Sequence, residues 1–272
     1  MKNGDDAACR LFVDADLGAG RRVELSREQA HYLRHVLRLA DGASLLAFNG
    51  RDGEWLVRLA SEGRRAAALE PVEPRRAQAP RGDLHLLFAP LKHARLDYMV
   101  QKAVEMGASR LVPAITRRTQ VARLNLERMR ANAIEAAEQC GILSIPDIVE
   151  PCPLAQAIAA LEAERLLVFC DEAAEPGNAI TALRALPRGP LALLIGPEGG
   201  FAEDERRLIL ARAATARLSL GPRIMRADTA AVAALALCRL ASGTGLPRRP
   251  RARKFQAKRY AATLRQRLPA HM

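Results

Sequence analysis

Leu193-Leu194-Ile195-Gly196-Pro197-Glu198-Gly199-Gly200-Phe201 is an apolar run that stops abruptly at Gly-Pro. Further on, Leu218-Ser219-Leu220-Gly221-Pro222-Arg223-Ile224-Met225-Arg226-Ala227-Asp228-Thr229 echoes it. A short apolar run with such punctuation reads as a buried strand entering a backbone-defined loop. A helical pattern follows each loop. Glycine lets the main chain approach a ligand because it has no Cβ, and proline fixes the chain direction while removing a donor. Two such loops at strand ends predict one pocket lined mainly by main chain. Open α/β sheets hold their ligands there, at the carboxyl ends of adjacent strands.

Around these loops, from Leu84 onward, strands alternate with helices, the pattern of a mostly parallel sheet covered on both faces. Strands are expected near 84–89, 111–115, 145–149, 166–170, 190–196 and 216–220, and helices near 92–106, 125–140, 154–163, 178–186, 203–213 and 229–241. The last helix is apolar on nearly every side, which places it in a core or a subunit interface. Residues 10–75 read instead as a small β-rich unit. Ser26 with Gln29 is a capping-box signature that opens a helix through about Leu39. Asn49-Gly50 and Asp52-Gly53 supply hairpin chemistry between strands 44–48 and 54–60. Glu70 to Pro80, rich in proline and charge, is the expected linker. The resulting division is 1–75, 76–245 and a tail, 246–272.

The chain has 272 residues and a net charge of +12, but from Arg248 to the end there are nine Lys/Arg and no acid. Without them the body carries only +3, so the basic balance describes the tail more than the fold. Such a tail is a solvated segment or attracts phosphate. No apolar run approaches the roughly 18 residues of a membrane span. Five cysteines form no CxxC pair, so free thiols in a reducing cytoplasm are expected. The histidines show no ligand spacing, and no metal is expected. There is no GxGxxG opening a βα unit and no GxxxxGK[ST], which excludes the common nucleotide loops. The residues alone therefore reach a backbone-lined pocket but do not name its ligand.

Several stretches, in order and spacing, resemble one family. They are Arg10-Leu11-Phe12-Val13, His31 to Leu39, Phe48-Asn49-Gly50 with Asp52-Gly53-Glu54, Gln101 to Gly107, Glu135 to Gln139, and the two Gly-Pro loops. The chain resembles the bacterial 16S ribosomal RNA (uracil-N3)-methyltransferases of the SPOUT class. The resemblance implies an α/β fold: a SPOUT-type parallel sheet with a C-terminal trefoil knot, preceded by a small PUA-like β-barrel that helps bind RNA. It also implies S-adenosylmethionine as methyl donor, N3 of one uridine as acceptor, a homodimer, and 16S ribosomal RNA or the small ribosomal subunit as partner. The knot comes from the resemblance alone, since threaded chains are almost absent from ordinary topologies.

Carried onto this sequence, the resemblance makes Ile195, Gly196, Pro197, Glu198, Gly199, Gly200, Leu220, Gly221, Ile224, Met225, Arg226 and Thr229 the expected cofactor residues, with Cys170 lining the same pocket. N3 of neutral uracil carries a proton and becomes nucleophilic only when that proton leaves, so a base or a charge-stabilising cation is needed. Glu198 and Asp228 are the acidic candidates, Arg223 and Arg226 the cationic ones. Each has a plainer reading: a helix cap for Asp228, a loop hydrogen bond for Glu198, a phosphate clamp or ion pair for the arginines. Arg10, Arg34, His35 and Arg38 are the expected RNA contacts, the last three (with His31) recurring along one helix. Lys102 and Glu105, at helical i, i+3 spacing, read equally as an ion pair.

Three features depart from the family pattern. Gly141-Ile142-Leu143 stands where an arginine is usual, Ala202 replaces a hydroxyl residue, and the tail beyond Gly245 is additional. Two other activities stay open: a ribose 2′-O-methyltransferase of the same fold, and a non-catalytic RNA-binding ribosome-assembly factor.

Overall fold

The computed structural model describes residues 7–62, 66–121, 123–175 and 177–241. The basic tail at 246–272 lies outside them. The N-terminal strands are β1 (Arg10–Phe12), β2 (Val23–Glu24), β3 (Ser44–Phe48), β4 (Glu54–Glu62) and β5 (Ala66–Arg76). They form one sheet in the order β1-β3-β4-β5-β2. β1 runs parallel to β3, and the other pairs are antiparallel. With β1 and β2 at its edges, the sheet is a half-barrel rather than a closed one.

The β3–β4 turn follows its residues closely. The Asn49 carboxamide oxygen accepts from the N–H groups of Arg51 and Asp52 at 2.9 and 2.8 Å, the Asx geometry that makes Asn a turn residue. Gly53 adopts φ +79°, and a Cβ there would lie 2.2 Å from the Arg76 carbonyl oxygen. Gly53→Ala is therefore expected to destabilise the chain by about 1–3 kcal/mol, the cost of overpacking, read as a lower urea midpoint at unchanged m-value.

Two N-terminal expectations need correction. The helix α1 (Arg27–His31) has the predicted capping box, but Tyr32–Val36 forms a π-helical turn and the helix ends at Leu37. Arg38 lies past that end, at φ +56°, so the expected run to Leu39 does not form. The expected linker at Glu70 to Pro80 is strand as far as Arg76. Its prolines are tolerated because β2 pairs with β5 only at Ala68 and Leu69, leaving the rest of that side of β5 an edge. Register shifts in the β4–β5 ladder also fall beside Pro71 and Pro74. Proline in sheets is confined to such edges and bulges.

The second sheet contains β6 (Leu84–Phe88), β7 (Arg110–Ile115), β8 (Asp147–Ile148), β9 (Cys152–Pro153), β10 (Leu166–Cys170), β11 (Leu191–Ile195) and β12 (Thr215–Leu218). Its order is β12-β10-β11-β6-β7-β8, with β9 paired to β7, and every pairing is parallel. The helices are α2 (His93–Glu105), α3 (Leu126–Cys140), α4 (Leu154–Ala159), α5 (Ala179–Arg184), α6 (Glu203–Ala211) and α7 (Ala227–Ala241). Successive strand residues face opposite sides. Leu86, Phe88, Leu193 and Ile195 meet α2, α3, α5 and α7, whereas Leu87, Ala192 and Leu194 meet α4 and α6. Burial on both faces explains why these strands read as unbroken apolar runs. Phe12 and Phe48 of the N-terminal sheet join the α3 side of this core. Among the described residues no helix is long and apolar enough to cross a membrane.

Candidate functional site

The carboxyl ends of β10, β11 and β12 open into a cleft of about 630 Å³. Both Gly-Pro loops line it, together with Asp171 to Glu175 after β10 and Ala227 and Ala230 at the start of α7. Of the expected cofactor residues, Cys170, Ile195, Gly196, Pro197, Glu198, Gly200, Leu220, Gly221, Ile224 and Met225 line the cleft, as does Arg223. Gly199, Arg226, Thr229 and Asp228 are not in the lining. Helix α7 begins at Ala227, earlier than its apolar pattern indicates, and so takes in Asp228 and Thr229. The Arg226 carbonyl accepts from the Ala230 N–H at 2.8 Å. Asp228 Oδ1 accepts from the Thr229 N–H at 2.9 Å, so it serves the first turn of α7 rather than capping from outside it.

The glycines of the first loop have a reason the sequence did not reveal. They are approached by protein side chains. A Cβ at Gly196 would lie 2.6 Å from Phe201 Cε2, and one at Gly199 3.4 Å from Arg118 Cδ. At Gly200, with φ +70°, a Cβ would lie 2.7 Å from Glu172 Oε1. Arg118 Nη1 also donates to the Gly199 carbonyl at 2.5 Å, and the Gly200 N–H donates to the Pro197 carbonyl at 2.9 Å. The loop is thus held from β7's end by Arg118, while the Glu172 side chain approaches it from β10's end. Glu198 Oε1 accepts from Arg95 Nη1 at 3.1 Å, so its partner comes from α2 and not from Arg223 or Arg226.

Asp171, which sequence reasoning missed, is the buried ionic centre of the site. Only 4% exposed, it accepts from Arg206 Nη2 at 2.9 Å, from Arg217 Nε at 2.7 Å and from the Ala173 N–H at 3.1 Å. Its own N–H donates to the Leu218 carbonyl at 3.1 Å. Burial alone would raise its pKa; the Arg206 and Arg217 hydrogen bonds outweigh that and hold the carboxyl below its ordinary range. One carboxylate therefore joins β10, α6, β12 and the loop after β10. Beside it, burial pushes the Cys170 thiol up, and the same cause pushes Cys238 to about 11 and Cys9 to about 12. Cys9 and Cys238 are buried and pack as small apolar groups, while Cys170, half-buried, lines the cleft.

The expected RNA contacts separate. Arg10 is corrected: it is 7% exposed, with its guanidinium engaged by Glu54 and by main-chain carbonyls at the end of α3. Arg34 donates to Asp41 and Ser61 at 3.2 and 2.6 Å. His35 and Arg38 are exposed, and His35 lies beside His31 with ring centroids 4.8 Å apart. Lys102 and Glu105 form the ion pair their spacing allowed, at 2.7 Å. At Ala202 the missing hydroxyl is partly offset: Glu205 Oε2 accepts from the Ala202 N–H at 2.9 Å, the half of a capping box that needs no hydroxyl. Among the described residues no group of three or more His, Cys, Asp or Glu could hold a metal ion.

Residues 77–239 match the RNA methyltransferase domain, and residues 25–72 match the RNA methyltransferase PUA domain. Ribosomal RNA small subunit methyltransferase E of Rickettsia conorii is 31% identical over 85% of this chain and 95% of its own. The protein of that name from Synechocystis is 30% identical over 84% of this chain and 76% of its own. Among solved structures, a Legionella pneumophila methyltransferase in complex with the cofactor SAM is 30% identical, with a TM-score of 0.74 over 86% of this chain and 97% of that one. The ribosomal RNA small subunit methyltransferase E of Neisseria gonorrhoeae, bound to S-adenosyl methionine, is 25% identical, with a TM-score of 0.75 over 85% and 97%. With its parallel sheet, its half-barrel and its two converging Gly-Pro loops, the chain belongs to the ribosomal RNA small subunit methyltransferase E family.

Proposed function

We propose that this chain methylates N3 of one uridine in 16S ribosomal RNA, using S-adenosylmethionine as donor. The observation that carries the reading is the convergence of Ile195–Phe201 and Leu218–Met225 on one cleft. The cleft fits the donor. Its volume falls within the roughly 300–1,000 Å³ usual for small-molecule sites. Ile195, Leu218, Leu220 and Ala230 give an apolar wall for a purine, and Glu172 and Glu175 give carboxylates for a cationic sulfonium and ammonium. When bound, S-adenosylmethionine supplies a methyl group activated on sulfur.

The chain's own residues bind and orient the acceptor. Arg223 lines the cleft and faces outward, where its guanidinium stabilises the uracil anion that forms when N3 loses its proton. Glu198, held by Arg95 at 3.1 Å, accepts that proton. Arg226 and Asp228, outside the lining, are the alternates for these two roles. Arg38 and His35, exposed beyond the N-terminal sheet, contribute RNA phosphate contacts.

A second copy of the chain completes the protein as a homodimer. The exposed Ile224 (89%) and Leu240 (70%) support this, because large apolar side chains left in water mark interaction surfaces. The unit 1–75 is the RNA-binding domain, 76–245 the methyltransferase domain with a C-terminal trefoil knot, and 246–272 a basic tail. The chain acts in the cytoplasm and uses no metal.

Mass spectrometry of ribosomal RNA from a deletion strain tests the function. Loss of 3-methyluridine at one small-subunit position is expected. A lost ribose methyl with 3-methyluridine unchanged would establish 2′-O-methylation instead, and no change in either would leave a non-catalytic RNA-binding factor.

A further inference from the structure

The N-terminal sheet meets the rest of the chain through a buried ionic cluster. Arg10 and Glu54 are both nearly inaccessible. Glu54 Oε1 accepts from Arg10 Nε at 2.7 Å and from Arg76 Nη2 at 2.7 Å, and Glu54 Oε2 from Arg76 Nε at 2.7 Å. Both guanidinium groups then reach the C-terminal end of α3. Arg10 donates to the carbonyls of Ala137, Glu138 and Ile142 at 2.5, 2.8 and 3.2 Å, and Arg76 donates to the Gly141 carbonyl at 3.0 Å. A helix end leaves its last carbonyls unpaired and carries partial negative charge, so it attracts cations. The same interface includes Glu138, which accepts from the Phe12 N–H at 2.9 Å, and the Arg10 guanidinium stacks 4.4 Å over the Phe48 ring.

From α3 the polar contacts continue to the cleft. Asp97 on α2 accepts from Arg128 and Asn132 on α3, at 2.5 and 2.8 Å. Arg95, two residues before Asp97 on the same helix, holds Glu198 in the cleft loop. Sheet, α3, α2 and cofactor loop are therefore joined by directional, charge-assisted bonds, which fix orientation as apolar packing does not.

We infer that Arg10 and Arg76, tied together by Glu54, are positioning residues for the RNA substrate: they lock the N-terminal sheet on α3 at the angle that delivers the target base to the cleft. The inference rests on the proposed RNA methylation. It assigns these arginines no phosphate contact, although basic residues in an RNA-binding unit invite that reading.

The test uses the full-length protein with small-subunit ribosomal RNA, comparing Arg10→Lys, Arg76→Lys and Glu54→Gln with the parent. Each variant loses the forked geometry while altering volume little. The expected result is a kcat/KM for RNA lowered about tenfold to hundredfold, the effect of a misplacement on the order of 1 Å, with affinity for S-adenosylmethionine unchanged. The dependence of RNA affinity on salt should also stay unchanged in slope. A slope reduced by about 0.7–0.9 in Arg10→Met or Arg76→Met, which remove the charge that lysine keeps, would identify a direct phosphate contact and overturn the inference. So would an unchanged kcat/KM at a temperature where the variants are folded, or a parallel fall in donor affinity, since both indicate a purely structural role. If Arg10→Lys does not fold, Arg76→Lys decides, because that side chain is 30% exposed and stands at the rim of the cluster. Failure of the parent protein to methylate RNA would count against the proposed function and not against the brace.

Discussion

Gly196→Val is expected to lower the affinity for S-adenosylmethionine by about a hundredfold, equivalent to the upper end of the roughly 1–3 kcal/mol that overpacking costs. A Cβ at this position would lie 2.6 Å from Phe201 Cε2 and 3.1 Å from Cδ2 and Cζ. Something must move, and the ring is not a flexible chain end. Phe201 stacks edge-on against Phe169, with centroids 5.4 Å apart and planes at 78°, and it packs on the core beneath α4 and α6. Both rings also line the cleft. Valine therefore either pushes the ring into the donor's space or lifts the whole Gly-Pro loop away from β11. Gly196→Ala should act in the same direction more weakly, and Phe201→Leu added to Gly196→Ala should restore part of the affinity by vacating the ring's volume. Titration calorimetry with S-adenosylmethionine reads all three. Unchanged affinity in Gly196→Val would remove this loop from the donor site.

Glycine after a buried strand reads as room for a ligand against the main chain, and the position of the cleft agrees. The tightness at Gly196 nevertheless comes from the Phe201 ring, Gly200 is set by its φ of +70°, and Arg118 and Glu172 approach the loop from outside. Only Phe201 is near in sequence, so Arg118 and Glu172 could not be found from local pattern. Arg10 shows the same limit in reverse. A basic residue in an RNA-binding unit reads as a surface contact, and only Glu54, 44 residues away, and the end of α3, 127 residues away, make it a buried strut. The sheet was more legible, because burial on both faces writes itself into consecutive apolar residues such as Leu191–Ile195. Short edge elements were not: β9 has only two residues, too few for any periodicity.

Asp171→Asn is expected to cost about 3–5 kcal/mol of folding stability, the range for breaking a buried ion pair by removing one partner. The carboxylate lies between Arg206 at 2.9 Å and Arg217 at 2.7 Å. Asparagine keeps the volume but presents one carbonyl oxygen and an NH2 group that cannot face a guanidinium. Arg206 and Arg217 are partly exposed and Asp171 is not, so water compensates the arginines in part and the loss falls toward the lower end of that range. Because Asp171 also holds the Ala173 N–H and Arg217 holds the Ala173 carbonyl at 2.7 Å, the loop lining the cleft should loosen as well. Donor affinity is then expected to fall together with stability. The pH dependence has a definite sign. The folded-state pKa lies below the unfolded value, so this contribution is fully present above the ordinary carboxylate pKa of about 4 and disappears as pH falls through the lower folded value. Parent and variant should therefore differ most near neutral pH and converge in acid, as read by urea unfolding across that range. A gap between them that stays constant down to the lowest pH would show that the carboxylate's charge is not what holds β10, α6 and β12 together.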